Sequence, residues 1–450
     1  MKNSKKIMLF CLVAVLSVSL LAGCAPKPAN DPPPSQSAPA DTSTPAAPTG
    51  STSPGDYWSP ADGAPASYNA GSEVYTMQNR VPWQGIYAPV ESSRISVDKA
   101  IKADNKKDSV TVGYATWTVG TPFFAGMHDT IKAECEKYGW TFIPAVADAD
   151  INKQVANIEN FITMGVDVII DVAFSGEAEA IAIKAAVDEG IPCIGLGLPF
   201  PDGTPIVTNC ATMYYEQGFM VGMYAAEQFA GKAVKAATSP GQIGHPIAES
   251  KLNGFLGGFS YMRAIQAGTP FASREEAMLY GYELEQQIVK SAKFTDTTYN
   301  WEVVTSIDGF WSRDDGQKAA EDILTAHPDV DLIFMDNDEE SQGAIMAIEQ
   351  AGLVPGKDVM VACVGDASKN ALELIRDGKL MCLTLASPYT WSKATTDLAH
   401  MIFVEGFDAT NLPSNVHLGN VLVHKDNVTP YIPATDEYAT LPDQEFIPLG

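Results

Sequence analysis

The sequence contains no Cys-x-x-Cys pair, no Gly-x-Ser-x-Gly, no His-Glu-x-x-His and no Gly-x-x-x-x-Gly-Lys. The first absence excludes the common zinc-ligand and thiol-redox spacings. The others exclude the usual serine hydrolase, zinc protease and phosphate-cradling nucleotide sites. Histidine is scarce, with six residues scattered in no partner pattern. Basic charge is short too: 29 Lys+Arg stand against 55 Asp+Glu in 450 residues, a formal net charge of −26. A nucleic-acid-binding face needs clustered Lys and Arg, so this balance argues against one, and equally against adsorption to anionic lipid. The apolar run from Ile7 to Leu20 has 14 residues, short of the roughly 20 that span a bilayer.

What that run does fit is a signal segment. Lys2, Lys5 and Lys6 precede it, and Leu21-Ala22-Gly23-Cys24 follows it. This order resembles the lipobox of bacterial lipoproteins, in which small residues admit the signal peptidase and the Cys thiol carries lipid. Residues 1–23 are therefore expected to be removed and Cys24 to be the lipidation site. That places the protein on the extracytoplasmic face of the cell membrane, held by the lipid alone. Losing three lysines and no acid takes the charge from −26 to near −29. Residues 24–66 are rich in Pro, Ser, Thr, Ala and Gly and bury too little apolar surface to order themselves, so they read as a tether. Residues 67–107 contain Tyr68, Tyr75, Trp83 and Tyr87 without clear periodicity, and form an N-terminal extension of undetermined structure. Cys135, Cys193, Cys210, Cys363 and Cys382 mostly sit in apolar runs and read as small buried hydrophobes, with one disulfide pair as the alternative.

From Ser109 onward, β-branched strands alternate with amphipathic helices. Strands are expected at 109–116, 141–146, 167–172, 192–196 and 205–210. Helices are expected at 122–138, 152–164, 177–189 and 215–230. After a glycine-rich stretch (Gly241, Gly244, Gly254, Gly257, Gly258) the pattern restarts. It has helices at 249–267 and 274–293, then strands at 301–306, 331–335, 358–364 and 380–386 separated by helices at 312–326, 339–351 and 368–376. A helix at 389–404 and a strand near 420–424 close the series. Such alternation means right-handed βαβ units and parallel sheets. Two sets of units mean two α/β lobes.

Several local motifs follow one another in order: Gly120-Thr121-Pro122-Phe123-Phe124 after the first strand, Gly190-Ile191-Pro192 before the fourth, and Phe310-Trp311-Ser312-Arg313 ahead of a helix. Asp336-Asn337-Asp338-Glu339, Gly365-Asp366 and Ser387-Pro388-Tyr389 then each follow a later strand. Together they resemble type I periplasmic binding proteins of the ribose- and galactose-binding kind, over residues 109–428. The resemblance implies two Rossmann-like doubly wound lobes joined by a three-crossing hinge, with ligand trapped in the cleft as the hinge closes. It implies lobe 1 at 108–211 plus 387–418, lobe 2 at 212–386 plus 419–430, and a tail at 431–450. It also implies a monomeric solute-binding component of an ABC importer. Such a protein takes a sugar, polyol or similar small molecule, passes it to a membrane permease, and needs no cofactor.

The candidate ligand contacts follow from the same motifs. Trp117, Phe123 and Phe124 offer ring faces to the C–H face of a sugar, with Phe124 favoured over Phe123; the alternative for the Phe pair is helix-to-sheet packing. Trp311 stands where the resemblance implies an aromatic on the opposite lobe. Arg313 either donates to a hydroxyl or pairs with Asp314 or Asp315. Asn337 and Asp366 match the family's polar contacts, although each precedes a helix and could instead cap it. Thr121, Glu249 and Tyr389 complete the set. The run 336–340 lacks the glycine and distal Glu of a calcium loop, so no metal is expected. The departures lower the polarity of the pocket: Thr121 stands where sugar binders carry Asn, Gly197-Leu198 where they carry Asp-Arg, Glu249 and Lys251 near their Arg, and Ala386 at their Gln. A deoxy sugar, polyol, nucleoside or other less polar ring stays open as ligand. Presenting the ligand to a membrane sensor is the alternative to transport. A LacI-type regulator would need a DNA-binding head where this chain has a lipobox and tether, and an enzyme finds no catalytic motif.

Overall fold

The computed structural model describes residues 106–441 except 199, 201–203, 213, 273, 408, 410–414 and 419. The signal segment, Cys24, the tether and all but the last two residues of the 67–107 extension lie outside the described residues, as do residues 442–450.

The first lobe is built from β1 (Thr111–Thr116), α1 (Pro122–Lys137), β2 (Thr141–Val146), α2 (Ile151–Met164), β3 (Val168–Val172), α3 (Gly176–Asp188), β4 (Cys193–Leu196) and β5 (Thr208–Thr212). Punctuation in the sequence sets several boundaries. Asp150 accepts from the backbone N–H groups of Asn152 and Lys153 to cap α2, and Gly165 ends it at φ 67°, a left-handed turn that glycine makes without a Cβ clash. Every residue of β3 is buried, as expected of a parallel strand covered by helices on both faces.

The chain then passes to the second lobe, with α4 (Tyr214–Gln228), β6 (Val234–Ser239), α5 (Pro246–Gln266), α6 (Arg274–Ser291), β7 (Phe294–Asp296), β8 (Trp301–Ser306), α7 (Arg313–Ala326), β9 (Leu332–Met335), α8 (Asp338–Gln350), β10 (Met360–Cys363), α9 (Lys369–Arg376) and β11 (Cys382–Thr384). It returns for α10 (Pro388–His400) and β12 (Asn415–Leu418) and ends its strands with β13 (Leu422–His424).

The two sheets have the orders β12-β5-β4-β3-β1-β2 and β13-β11-β10-β9-β6-β8-β7. All pairs in the first are parallel; in the second, the edge strands β7 and β13 run antiparallel. The backbone therefore changes sheets three times: between β5 and α4, between β11 and α10, and between β12 and β13. Both sheets are doubly wound, and strand order reverses between β1 and β3 in one and between β6 and β9 in the other. Ligands of open α/β sheets sit outside the strand carboxyl ends at such points.

Three strands were not foreseen from sequence: β6, β7 and β12. Of these β6 matters most, because it is the central strand from which the second sheet winds both ways. Its sequence, Val-Lys-Ala-Ala-Thr-Ser, is poor in the β-branched and aromatic residues that mark a strand. Ala236 and Ala237 are fully buried, where small side chains suit a strand flanked tightly on both faces. The five cysteines of the body are free and buried.

Candidate functional site

The second lobe's contribution begins where β9 ends. Asp336 and Asn337 lead into α8, whose first turn carries Asp338, Glu339 and Glu340. Most of this acidity already has a use. Asn337 Oδ1 accepts from the Glu340 N–H (3.0 Å), and its Nδ2 donates to the Trp311 carbonyl (3.3 Å). Both ends of the amide are therefore engaged, and the helix-capping alternative describes Asn337 better than a ligand contact. Asp338 accepts from the backbone N–H groups of Asp366 (2.9 Å) and Ser368 (2.6 Å). Glu340 accepts from those of Trp311 (2.7 Å) and Asp336 (3.0 Å).

Lys251, on α5, is the buried cation of this group. Its Nζ donates to the Asp336 carbonyl (2.8 Å) and pairs with Asp336 Oδ2 (3.3 Å). Burial opposes its charge, but Asp336, Asp366 and Glu340 outweigh burial and raise its pKa. Asp366 behaves in the opposite sense. Burial and the nearby Asp338 charge push its carboxyl well above the usual range, against the pull of Lys251. Among the described residues its carboxyl oxygens accept no hydrogen bond, which leaves them available to hydroxyl donors.

Trp311 lies over this cluster, its indole N–H donating to Asp336 Oδ2. Its loop is unusual. Phe310 and Trp311 take φ of 50° and 53° in succession, a left-handed conformation uncommon for bulky residues and found where surrounding contacts enforce it. Here Phe310 N–H donates to the Gly241 carbonyl (2.7 Å) and Gly309 N–H to that of Pro240 (2.8 Å). The indole rests on Gly241, where a Cβ would come within 1.9 Å of the ring. Arg313 pairs with Glu339 (2.8 Å) rather than Asp314 or Asp315 and is half exposed.

The first lobe presents aromatic rings. Trp117, just after β1, stacks on Phe174, just after β3, with centroids 4.0 Å apart and planes at 11°. Phe174 meets His245 of the second lobe at 5.4 Å, and His245 meets Trp311 at 4.8 Å. Trp117, Phe174, His245 and Trp311 thus form one row of rings that crosses from lobe to lobe, joining the two points where strand order reverses. His245 Nδ1 accepts from the Ile247 N–H (3.3 Å), so the neutral ring carries its proton on Nε2. Burial lowers its pKa, which favours that neutral form.

Other expected contacts have different places. Phe123 is hemmed in edge-to-face by Phe124 (5.7 Å), Trp391 (5.6 Å) and Tyr438 (6.1 Å), so packing uses its ring; Phe124 is half-buried beside it. Thr121 precedes α1, exposed, without a capping bond from its side chain. Tyr389 packs against Gly126, whose Cβ would lie 3.0 Å from the ring, and against Tyr438 (5.8 Å). Glu249 does not join the Lys251 cluster. It is one turn from Asn253, which donates to Glu285 of α6 (3.0 Å), and its charge acts on that same Glu285. Glu249 and Lys251 are two positions apart, so a helix directs them to different faces; Lys251 is the residue that reaches the cleft. Sequence reasoning missed Phe174 and His245, which lie in loops without a motif, and Tyr214, which is buried at the first passage between lobes with Lys251 Nζ 5.8 Å from its ring. A cavity of about 580 Å³ opens beside this cluster between Pro122 of the first lobe and Ser312, Arg313, Ser368 and Glu437, within the usual range for small ligands.

A sequence model described as a periplasmic binding protein domain matches residues 112–406. The chain belongs to that family. Among characterised proteins, this binding protein is 26% identical over 302 residues to the ribose import binding protein RbsB of Bacillus subtilis, covering 67% of this chain and 84% of the relative. It is 22% identical over 275 residues to the galactofuranose-binding protein YtfQ of Escherichia coli, covering 60% and 75%. Among solved structures, an ABC transporter solute-binding protein from Actinobacillus succinogenes with bound D-allose aligns with a TM-score of 0.57 and 21% identity. The alignment covers 72% of this chain and 100% of that one. These relatives are binding proteins, and the structural likeness extends to the two-lobed fold.

Proposed function

We propose that this binding protein is the extracytoplasmic solute receptor of an ABC importer, anchored through a lipid on Cys24, and that it captures a single hydroxylated ring, a sugar or a polyol, between its lobes. It binds and releases this ligand without chemistry and delivers it to the permease. The observation that carries the reading is the row of four rings that crosses between the two strand-order reversals, its Trp311 end bonded to Asp336, with Asp366 acting on the same Lys251 as Asp336 and accepting no hydrogen bond on its side chain among the described residues. Ring faces pack on the C–H face of a sugar, and carboxyl oxygens accept from its hydroxyl edge. The relatives named for ribose and galactofuranose and the fold neighbour holding D-allose support the same ligand class. Trp117, Phe124, Trp311 and Asp366 are the proposed contacts, with Lys251 holding Asp336 in place; Thr121, Arg313 and Tyr389 stand at the cleft margin.

A thermal-shift screen of the mature chain carrying Cys24→Ser, against pentoses, hexoses, polyols and nucleosides, tests this. At least one sugar or polyol is expected to raise Tm, and Asp366→Asn and Trp311→Ala are expected to abolish the shift with the ligand-free transition retained. A shift confined to nucleosides, or an undiminished shift in both variants, overturns the ligand assignment. Wild-type protein should fractionate with membranes and Cys24→Ser with the soluble fraction; equal membrane retention of both refutes the anchor.

A further inference from the structure

The last described stretch of the chain touches both lobes. Residues 437–439 run antiparallel to 367–369 of the second lobe: Lys369 N–H donates to the Glu437 carbonyl (2.7 Å), and Ala439 N–H to the Ala367 carbonyl (2.9 Å). Between those two bonds the Tyr438 side chain turns to the first lobe. Its ring meets Phe123 at 6.1 Å and 83° and Tyr389 at 5.8 Å and 87°, two edge-to-face contacts of the favoured kind. Two residues on, Leu441 N–H donates to Thr390 Oγ1 of the first lobe (3.0 Å). Tyr438 is 4% exposed. Burial, then the charges of Asp366 and Asp338, push its hydroxyl pKa up. Thr435 and Glu437 line the cavity of about 580 Å³ next to it.

We infer that Tyr438 is a positioning residue for ligand capture: a non-covalent link between the lobes, beyond their three backbone passages, that holds them closed at one end of the cleft. Three backbone passages join the lobes and permit bending, whereas a ring anchored by its backbone to one lobe and packed on two rings of the other resists it. The same contact adds to the packing around Phe123 and so leaves Phe124 as the ring of α1 offered to ligand. These contacts raise the closed-to-open ratio by the Boltzmann factor of their free energy, and the apparent dissociation constant falls as the closed fraction rises.

This inference rests on the proposed binding function, so one arm of its test needs no ligand. Spin labels on Ile181→Cys of the first lobe and Met346→Cys of the second, both exposed positions, report the distance between lobes by pulsed electron resonance. The ligand-free Tyr438→Ala protein is expected to show a longer or broader distance distribution than wild type, and Tyr438→Phe, which keeps the ring, to match wild type. With the ligand found by the thermal screen, Tyr438→Ala should release it about tenfold faster or more, with Tyr438→Phe restoring the wild-type rate. Unchanged distances in Tyr438→Ala, or an unchanged release rate, overturns the link. Absence of any ligand with an altered distance distribution instead counts against the binding function and leaves the link standing.

Discussion

Buried carboxyls set the pH response at the scale of single residues. Glu285 of α6 is 2% exposed, and Asn253 donates to one of its oxygens (3.0 Å). Burial pushes its pKa up to about 9, with the Asn253 hydrogen bond acting in the opposite direction and the Glu249 charge adding to the rise. In the unfolded chain a Glu titrates near 4.3, so the folded state holds this proton more tightly. Its contribution to stability is complete below roughly pH 4.3 and is lost as pH rises through about 9. Urea midpoints measured across that window should therefore fall less steeply with pH for Glu285→Gln than for wild type; parallel profiles would show that the carboxyl is not buried in this way. Lys251 is the complementary case. Its sequence neighbours give no sign that it, and not Glu249, reaches Asp336; only the direction of each side chain around α5 separates them.

At the scale of elements, the α4–α5 pair determines where Lys251 stands. Gly218 and Gly222 on α4 face Gly254 and Gly258 on α5 so closely that a Cβ on Gly222 would lie 2.2 Å from the Phe255 carbonyl oxygen, and one on Gly258 would lie 2.0 Å from that of Phe219. Backbone has no room to yield as a flexible side chain would. Gly222→Ala, which would help an isolated helix, is expected to destabilise the protein by about 1–3 kcal/mol or more through overpacking. Equilibrium denaturation checks this, and a neutral or stabilising result would mean the helices separate at little cost. The glycines are visible in the sequence as a composition bias, yet their pairing across two helices is not. β6 was hidden for a related reason: an alanine-rich strand lacks the β-branched signature, and its identity comes from the sheet and helices that enclose it. The longer strands β1, β2 and β8, with conventional composition, were legible almost to the residue.

At the scale of the whole molecule, the proposed capture depends on the two lobes approaching each other. The Phe174–His245 and Tyr438–Phe123 ring contacts both span the cleft, which describes a closed arrangement, and hinge closure is a two-state transition that ligand biases. Ligand at a hundred times its dissociation constant should add roughly 2.7 kcal/mol of stability and reduce the radius of gyration measured by small-angle scattering. Stabilisation without contraction would mean that ligand binds to one lobe alone.

The sequence by itself determined the α/β class, the number of lobes, the alternation of the body and the candidate positions after each strand, because periodicity, β-branched runs and turn residues act locally. The lipobox expected at Cys24 is likewise a motif read along the chain. Only the tertiary structure decided which of those positions converge. Phe123 packs, Asn337 caps a helix, and Lys251, Phe174, His245 and Tyr438 enter the cleft or brace it. The physical reason is that a side chain's role is set by where its helix or loop directs it and by which neighbours already satisfy its polar groups. Residues from positions 117 to 438 become neighbours only when both sheets have formed and the lobes meet.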